Sequence, residues 1–293
     1  MQRNRRSHYL FSIALLTLLL SLGFPGRAQT PTEPATPTAS PTPSLEKEFL
    51  KNVLRDQKAI WTAPFHLHRA DAKWIVPAGI GGMAMFTTDR ITGDEVGEFD
   101  RQVKASRIVS YAGSIYGGGA MAATFYLVGR KTKNARARET GLLSAEALVN
   151  GLIVSNALKA VTQRARPLTG AERSEFFDGG NSFPSGHSIQ AWSLATIVAN
   201  EYHDHRAAQV AAYAVATAVS VSRFTGHQHY ISDVVVGSAL GYGIGQYVYH
   251  AHHRATAASG DGDNPTNASH WPAITPQYGH RARQYGVALT WSF

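Results

Sequence analysis

The stretch NSFPSGHSIQAWSLATIVANEY, residues 181–202, places a proline, a serine, a glycine and a histidine where a loop gives way to an apolar helical run. Ser185 is a favoured N-cap residue, and Gly186 lets another group approach the backbone closely. The free N–H groups of a first helical turn attract an anion, so His187 lies within reach of whatever that helix end binds. Taken alone, a motif this short is more typical of a plain capped helix with a surface histidine. Its interpretation therefore depends on the rest of the chain.

The rest of the folded part is predicted to be helical. Apolar residues at helical spacing, separated by polar turns, fill seven segments: 44–61, 74–86, 108–129, 141–162, 188–202, 206–223 and 234–250. Ser44 is the candidate N-cap of the first segment, which carries two glutamates in its first turn. The segments are rich in Ala and Gly, which permits close helix packing. No series of short alternating strands occurs among them, so the sequence predicts an all-α helical bundle.

The N-terminal region has the pattern of an export signal. MQRNRR is a positively charged start, an apolar run follows, and small residues precede Gln29 at a cleavage site. The sequence predicts a signal peptide over 1–28, with an uncleaved membrane anchor as the alternative. Residues 29–44 are rich in Pro and Thr and predict a disordered linker. The chain has no cysteine, so an exported domain, in the periplasm or cell envelope, has no disulfide.

The folded domain is expected over 45–255, with a loop and a strand-like tail over 256–293. The tail alternates aromatic and aliphatic residues with a strand period, at Tyr285, Val287, Leu289, Trp291 and Phe293. Whether the bundle lies in water or in lipid is a separate question. Residues 108–129 are uncharged and long enough to span a bilayer, but the helices carry Ala and Gly where lipid-facing helices carry larger aliphatic residues. The sequence favours a soluble exported domain, with an integral membrane form as the close alternative.

Two further clusters, one before and one after the PSGH motif in the chain, bear on its interpretation. The segment KAVTQRARP, residues 159–167, has Lys159 and Arg166 seven positions apart, which predicts two cations on one helix face before Pro167 ends the helix. In SRFTGHQHYISD, residues 222–233, Arg223 closes one apolar helix. The sequence then predicts His229 and Asp233, at i and i+4, on one face at the start of the next helix.

Together these residues predict a site for a tetrahedral oxyanion. The donors are three cations with a serine and a backbone N–H at a helix end: Lys159, Arg166, Arg223, Ser185 and Gly186. Phosphate is the commonest such anion. The net charge of +8 also indicates an anionic partner: a phosphorylated substrate, a lipid head group or nucleic acid. No basic stripe interleaved with aromatic residues occurs, so nucleic acid is the weakest of the three and is not expected as a partner.

The two histidines suggest a division of labour. Asp233, one turn from His229, can accept from one ring N–H and leave the other ring nitrogen free for in-line attack on phosphorus. His187 is left to protonate the departing oxygen. The helix end tends to lower the pKa of His187, so a nearby negative charge must offset that effect.

The three motifs, with their spacing of Lys159, Arg166-Pro167, PSGH at 184–187, Ser222-Arg223, His229 and Asp233, resemble the signature of the type 2 phosphatidic acid phosphatase and vanadium haloperoxidase superfamily. The resemblance implies a helical bundle in which His229 forms a phosphohistidine, Asp233 is its partner and His187 is the acid. It also implies that the five donors form the phosphate cradle and that no metal or other cofactor takes part.

Three functions follow as hypotheses. The leading one is a metal-independent phosphohydrolase acting on a lipid phosphate, an isoprenoid pyrophosphate or a soluble phosphomonoester, with membrane association expected for a lipid substrate. The second is a haloperoxidase in which the same cradle holds vanadate as prosthetic group on His229, rather than as an inhibitor. The third is a non-enzymatic binding protein of the cell envelope, suggested by the tail and the linker.

Overall fold

The structure is a computed structural model, and it describes residues 45–66, 72–95, 100–167, 175–258, 273–279 and 284–290. The predicted signal peptide over 1–28 and the predicted linker over 29–44, with the candidate N-cap Ser44, lie outside the described residues.

The described residues contain eight α-helices and one hairpin, which confirms the predicted all-α bundle. The helices are α1 (Leu45–Thr62), α2 (Ala72–Glu95), α3 (Asp100–Ala112), α4 (Ile115–Thr132), α5 (Ala135–Thr162), α6 (Gly186–Glu201), α7 (Arg206–Thr225) and α8 (Ile231–Ala258). A short 3₁₀-helix, Ala63–His66, follows α1.

The predicted continuous segment 108–129 is wrong. Helix α3 ends at Ala112, and Ser114 caps α4 by accepting a hydrogen bond from the N–H of Gly117 at 3.1 Å. The side chain of a serine competes with the helical backbone for such bonds, so the Gly113-Ser114 pair breaks the apolar run. Among the described residues, α5 is the one helix long and apolar enough to cross a membrane, and 56% of its apolar stretch is buried inside the bundle.

Helix α6 is the centre of the bundle. It contributes Ile189 and Ile197 to a core shared with α5 and α8, and Ala195 and Val198 to a core shared with α7. Leu194 joins a third cluster with residues of α4 and α5. Because neighbours cover α6 on several sides, its N-terminus, which carries the PSGH motif, is held in place by most of the bundle.

Helix α8 packs against the backbone of α6 along a stripe of glycines. A Cβ atom added at Gly237 would lie 2.7 Å from the carbonyl oxygen of Ser185, and one added at Gly241 would lie 2.4 Å from that of Ile189. At Gly245 the corresponding distance to the Ser193 carbonyl is 2.8 Å. These distances are shorter than van der Waals contact, so no larger residue fits there without a shift of the backbone.

Helix α1 turns a polar face toward the bundle. Asn150 on α5 donates to Asp56 Oδ2 at 3.0 Å, and Gln57 donates to Asn150 Oδ1 at 2.8 Å. Burial, together with hydrogen bonding and charge from Asp56, raises the pKa of Glu146 far above its usual range, so that this carboxyl keeps its proton next to Asp56. The opposite face of α1 leaves Leu50 and Leu54 exposed.

The C-terminal unit, His252–Phe293, contains a hairpin of β1 (Ala273–Gly279) and β2 (Gln284–Thr290). The strands are antiparallel, with Tyr278 opposite Tyr285. The predicted strand period falls on β2 as far as Leu289, whereas Trp291 and Phe293 lie outside the described residues. Strand β1 lies in a part of the tail for which the sequence analysis gives no strand, and it contains Pro276, which is unfavourable within a strand.

The glycine stripe makes a testable prediction about stability. Gly241→Ala should lower the free energy of unfolding by roughly 1 to 3 kcal/mol, because the new methyl group overlaps the α6 backbone. The measurement is chemical denaturation of Gly241→Ala and of the parent chain.

The matched control is Gly243→Ala, two residues along the same helix. A Cβ added at Gly243 meets nothing within 4 Å, so this variant should be neutral or more stable by up to about 1 kcal/mol, since alanine favours the helix. Equal effects of the two substitutions would contradict close packing of α8 on α6.

Candidate active site

The PSGH motif forms the start of α6, as the sequence predicts. Ser185 is the N-cap, with φ −67° and ψ 107°, and its hydroxyl oxygen accepts from the N–H and the hydroxyl of Ser188 at 3.5 and 3.1 Å. The preceding Phe183-Pro184 peptide bond is cis. The Ser185 N–H donates to the carbonyl oxygen of Asp233 at 3.0 Å, which joins the second motif to the third.

Gly186 allows the PSGH motif to lie against the helix that carries Lys159. A Cβ added at Gly186 would lie 3.0 Å from Ser155 Oγ and 3.5 Å from Lys159 Nζ, so the ammonium group lies directly beside the first turn of α6. The backbone N–H groups of that turn and the Lys159 ammonium can therefore serve the same anion.

The predicted common helix face of Lys159 and Arg166 is wrong. Helix α5 ends at Thr162, because Gln163 adopts a left-handed conformation (φ 44°) and its N–H bonds back to the carbonyl of Lys159. The Gln163 carbonyl accepts from the N–H groups of Asp178 and Gly180 at 3.0 and 2.9 Å, which turns the chain away from the helix axis.

Arg166 nevertheless reaches the site from this non-helical segment. Its Nε donates to Asn181 Oδ1 at 2.7 Å, and Nη1 donates to Gln228 Oε1 at 3.1 Å. These two partners belong to the second and third motifs, so Arg166 links all three.

Arg223 lies buried in the last turn of α7. Its Nη1 donates to Ser110 Oγ on α3 at 3.0 Å, and the Ser110 hydroxyl also pairs with that of Ser222 at 3.0 Å. No motif in the sequence pointed to Ser110, since a lone serine within a helix carries no pattern.

The three cations repel one another. Burial, followed by the charges of Arg166 and Arg223, lowers the pKa of Lys159 to about 8. Burial and the charge of Arg166 lower the pKa of Arg223 to about 10. Asp233 is the carboxylate that acts against these effects on Lys159. A tetrahedral oxyanion placed among the cations would relieve their repulsion and accept their N–H groups.

His229 is almost fully buried and held in one tautomer. Its Nδ1 lies 2.7 Å from the carbonyl oxygen of Ser182 and 3.6 Å from Asp233 Oδ2. A carbonyl oxygen can only accept, so Nδ1 carries the proton and Nε2 has a free lone pair. The sequence assigned that hydrogen bond to Asp233, but in the structure the Ser182 carbonyl accepts it. His229 also lies two residues before α8 rather than on a shared helix face.

Asp233 is itself bound by several donors. The N–H of Tyr230, the residue before α8, donates to Oδ2 at 3.0 Å, so Asp233 caps the start of α8 as the acidic residue of a capping box does. The Ser182 hydroxyl donates to the same oxygen. Arg164 Nη1 donates to Oδ1 at 2.5 Å. Burial would raise the pKa of Asp233, but its bonding with His229 and the charge of Arg164 lower it on balance, so the carboxylate is ionised.

Arg164 is the site residue that the sequence analysis missed. It lies two positions before Arg166 in the same motif, and its side chain is 0% exposed. A lone arginine there could not be distinguished from a solvated one, because its partners Asp89 and Asp233 are distant in sequence.

Both histidines are neutral at pH 7. Burial and then the charges of Arg223 and His229 lower the pKa of His187 to about 3. Burial also lowers the pKa of His229 to about 4, although Asp233 acts in the opposite direction. A neutral His229 suits a nucleophile, whereas His187 needs a nearby anion before it can carry a proton.

A comparison with known proteins finds similarity in the part of the chain that carries these residues. Residues 140–257, roughly two fifths of the chain, match the PAP2 superfamily. This segment is similar to the PAP2 superfamily. It contains every residue from Lys159 to Asp233, so the resemblance recognised from the three motifs is confirmed.

A PAP2 relative is the lipid A 1-phosphatase of Porphyromonas gingivalis, 36% identical over 106 residues. The match covers 35% of this chain and about a fifth (21%) of that protein's length. Two solved structures are similar. The transmembrane PAP2-type phosphatidylglycerolphosphate phosphatase of Bacillus subtilis has 17% identity and a TM-score of 0.46, over 71% of this chain and 96% of that one. Aquifex aeolicus LpxE has 16% identity and a TM-score of 0.43, over 56% and 93%.

The roles of single residues remain predictions.

One testable prediction follows from the electrostatics of the site. Inorganic phosphate or vanadate bound there should raise the pKa of His187 by roughly 1 to 3 units, since the anion offsets the neighbouring cations. The measurement is an NMR titration of the imidazole ring with and without the anion.

His205 is the internal control for this titration. It is exposed and lies 3.4 Å from the exposed Asp204, so its NMR signals should not respond to the anion. A His187 signal that is insensitive to both anions would contradict binding at the α6 N-terminus.

Proposed function

We propose that this PAP2 chain is a metal-independent phosphohydrolase that works through a phosphohistidine. The observation that carries the proposal is the pairing of a buried, neutral His229, whose Nδ1 proton is fixed, with three mutually repelling cations. One group is ready to attack phosphorus, and the others are ready to hold the charged oxygens of the group being transferred.

The proposed reaction has two steps. In the first, the Nε2 lone pair of His229 forms a bond to phosphorus while the bond to the leaving oxygen breaks, and His187 gives that oxygen a proton. In the second, His187 takes a proton from water, whose oxygen attacks phosphorus and releases phosphate and His229. The three cations and the first turn of α6 neutralise the equatorial oxygens in both steps. Asp233, 3.6 Å from Nδ1, stabilises the positive charge that the ring carries in the intermediate.

His187 gains its proton with the substrate. Its pKa of about 3 in the resting protein reflects burial and the surrounding cations. The dianionic phosphate neutralises those cations and raises the pKa, so the proton arrives together with the group that needs it. This mechanism favours activity at mildly acidic pH, where His229 is still neutral.

A lipid phosphate is the proposed substrate class. Helix α1 and the turn after it expose an apolar stripe, with Leu50 and Leu54 exposed by 76% and 72% and Trp61 and Phe65 beside them. Exposed cations lie along the same side of the helix, at Lys47, Lys51, Arg55 and Lys58. An apolar face flanked by cations is typical of a helix that lies in the interface of an anionic membrane. The similarity to the lipid A 1-phosphatase of Porphyromonas gingivalis also supports a lipid phosphate.

The first test is phosphate release by the chain without residues 1–28. Release from a diacylglycerol phosphate in detergent and from p-nitrophenyl phosphate should persist in excess chelator and be inhibited by vanadate. His229→Ala should lower kcat by roughly 1,000-fold or more, because the nucleophile is lost. His203→Ala, an exposed histidine, should leave kcat unchanged.

The outcomes separate the substrate classes. A kcat/KM at least roughly tenfold higher on the lipid than on p-nitrophenyl phosphate supports the lipid substrate, whereas equal values favour a soluble monoester. An isoprenoid pyrophosphate included as a third substrate tests the remaining class. Release that is indifferent to His229→Ala would refute the phosphohistidine mechanism.

The membrane interface has its own test. The double substitution Leu50→Asp and Leu54→Asp should reduce binding to vesicles containing an anionic phospholipid by roughly tenfold or more, because two apolar anchors are replaced by charges that the lipid repels. Turnover of p-nitrophenyl phosphate should be unchanged. Co-flotation with the vesicles measures the binding.

The matched control is Val210→Asp on α7, an aliphatic residue that is 68% exposed on another helix. It should leave vesicle binding intact. Equal loss in both variants would mean that general surface hydrophobicity, rather than α1, drives the association.

A further inference from the structure

A guanidinium lies between two buried carboxylates behind the nucleophilic histidine. Arg164 Nη1 donates to Asp233 Oδ1 at 2.5 Å, and Nη2 donates to Asp89 Oδ2 at 2.7 Å. All three side chains are 0% exposed. Burying an ion removes its hydration, so this arrangement is stable only while each charge keeps its partners.

Aromatic rings enclose the guanidinium. Its Cζ lies 4.4 Å from the ring centroid of Tyr230, 4.9 Å from that of Phe176 and 5.2 Å from that of Phe86. These rings exclude water and add cation–π attraction. The position of Arg164 is therefore fixed by packing as well as by its ion pairs.

Asp89 anchors the same guanidinium to the start of α8. It accepts from the N–H of Ser232 at 3.1 Å and from the Ser232 hydroxyl, and Arg164 Nη1 also donates to that hydroxyl at 2.8 Å. The Ser232 N–H belongs to the first turn of α8, where a carboxylate is favoured. Helix α2 is thereby tied to the helix that carries Asp233.

We propose that Arg164 and Asp89 are positioning residues for phosphoryl transfer, with Arg164 keeping Asp233 ionised and oriented beside His229 and Asp89 balancing the charge of Arg164. The inference rests on the proposed role of His229 as nucleophile. Within the described part of the chain, the Arg164 side chain bonds to Asp89, Ser232 and Asp233 and lies against three aromatic rings, not among the donors of the phosphate cradle. Arg164 thus acts on the reaction through Asp233.

Asp89 and Asp233 share the positive charge of Arg164, so removing Arg164 and removing Asp89 should have opposite electrostatic effects on Asp233. Without Arg164, Asp89 and Asp233 would face each other buried and uncompensated, and one of them would take up a proton. Asp233 would then ionise only at higher pH, and the removal of a cation near His229 would also raise the pKa of that ring. Without the charge of Asp89, the full charge of Arg164 would act on Asp233 and on His229, so the pKa values of both groups would fall.

The test is the pH profile of kcat with the lipid substrate. Arg164→Gln should move the acidic limb to higher pH by roughly one unit. This shift should lower kcat by roughly twofold at pH 5 and by up to roughly tenfold at pH values below the limb, with KM unchanged within about twofold. Asp89→Asn should move the limb to lower pH. Arg164→Lys keeps the charge but not the forked donors, so its limb should return toward that of the parent while kcat stays reduced.

The matched control is Arg136→Gln, which removes an arginine from an exposed ion pair with Asp204 and should leave the profile unchanged. A limb that stays in place in both buried-site variants, or moves in the same direction in both, would overturn the proposal. So would a raised KM with unchanged kcat in Arg164→Gln, which would place Arg164 in phosphate binding. If Arg164→Gln does not fold, the direction of the shift in Asp89→Asn decides.

A readout independent of turnover separates this inference from the proposed function. The pKa of the His229 ring is followed by NMR, with its signal assigned by comparison with His229→Asn. An order in which Arg164→Gln lies above the parent chain and Asp89→Asn lies below it supports the inference, and equal values overturn it. Absence of phosphate release by the parent chain would refute the proposed function alone.

Discussion

The site depends on the contact between the backbones of α6 and α8. The Ser185 N–H donates to the Asp233 carbonyl at 3.0 Å, and Gly237 allows the two helices to approach closely at this point. This contact fixes the position of the α6 N-terminus, the proposed phosphate site, relative to the segment that carries His229, the proposed nucleophile. The other contributors, Lys159 from α5 and Arg223 from α7, are placed relative to the same α6, because α6 packs against both helices. Catalytic geometry here is a result of core packing.

Two charge systems lie near His229. In the first, Arg166 and Arg223 lower the pKa of Lys159, Arg166 lowers that of Arg223, and a bound phosphate would supply the missing counter-charge. In the second, Arg164 is already compensated by two carboxylates and enclosed by aromatic rings. The net charge around the first system would change when substrate binds and product leaves. The charge around Arg164 would stay the same. A nucleophile between a variable and a constant field changes its basicity mainly in response to the substrate.

The sequence predicted the parts of this structure that are written in local spacing. The helical segments, the cap at Ser185 and the residues of the three motifs follow from short-range patterns, and the PAP2 match agrees with them. Predictions that needed the exact backbone path failed. The helix end at Gln163 depends on hydrogen bonds from Asp178 and Gly180, and the break at Gly113 depends on the capping choice of one serine.

The contacts that sequence reasoning missed are long-range and polar. Asp89 lies 75 residues before Arg164 and 143 residues before Ser232 in its hydrogen bonds, and the acceptor for His229 is a backbone carbonyl, which no side-chain pattern reveals. The exposed stripe of α1 has a similar origin. Its apolar spacing indicates a helix with an apolar face, but only the buried pairing of Asp56 with Asn150 determines that the polar face turns inward.

The neutrality of both histidines gives the order of events in the proposed cycle. A protonated His229 could not attack, and a protonated His187 next to three cations would be strained in the resting protein. Phosphate changes only the second condition, because it lies among the cations beside His187, while Asp233 and Arg164 hold the His229 side of the site constant. The acid is therefore created by substrate binding and the nucleophile is maintained by the fold. That asymmetry allows two chemically identical imidazoles, in one buried site, to perform opposite roles at the same pH.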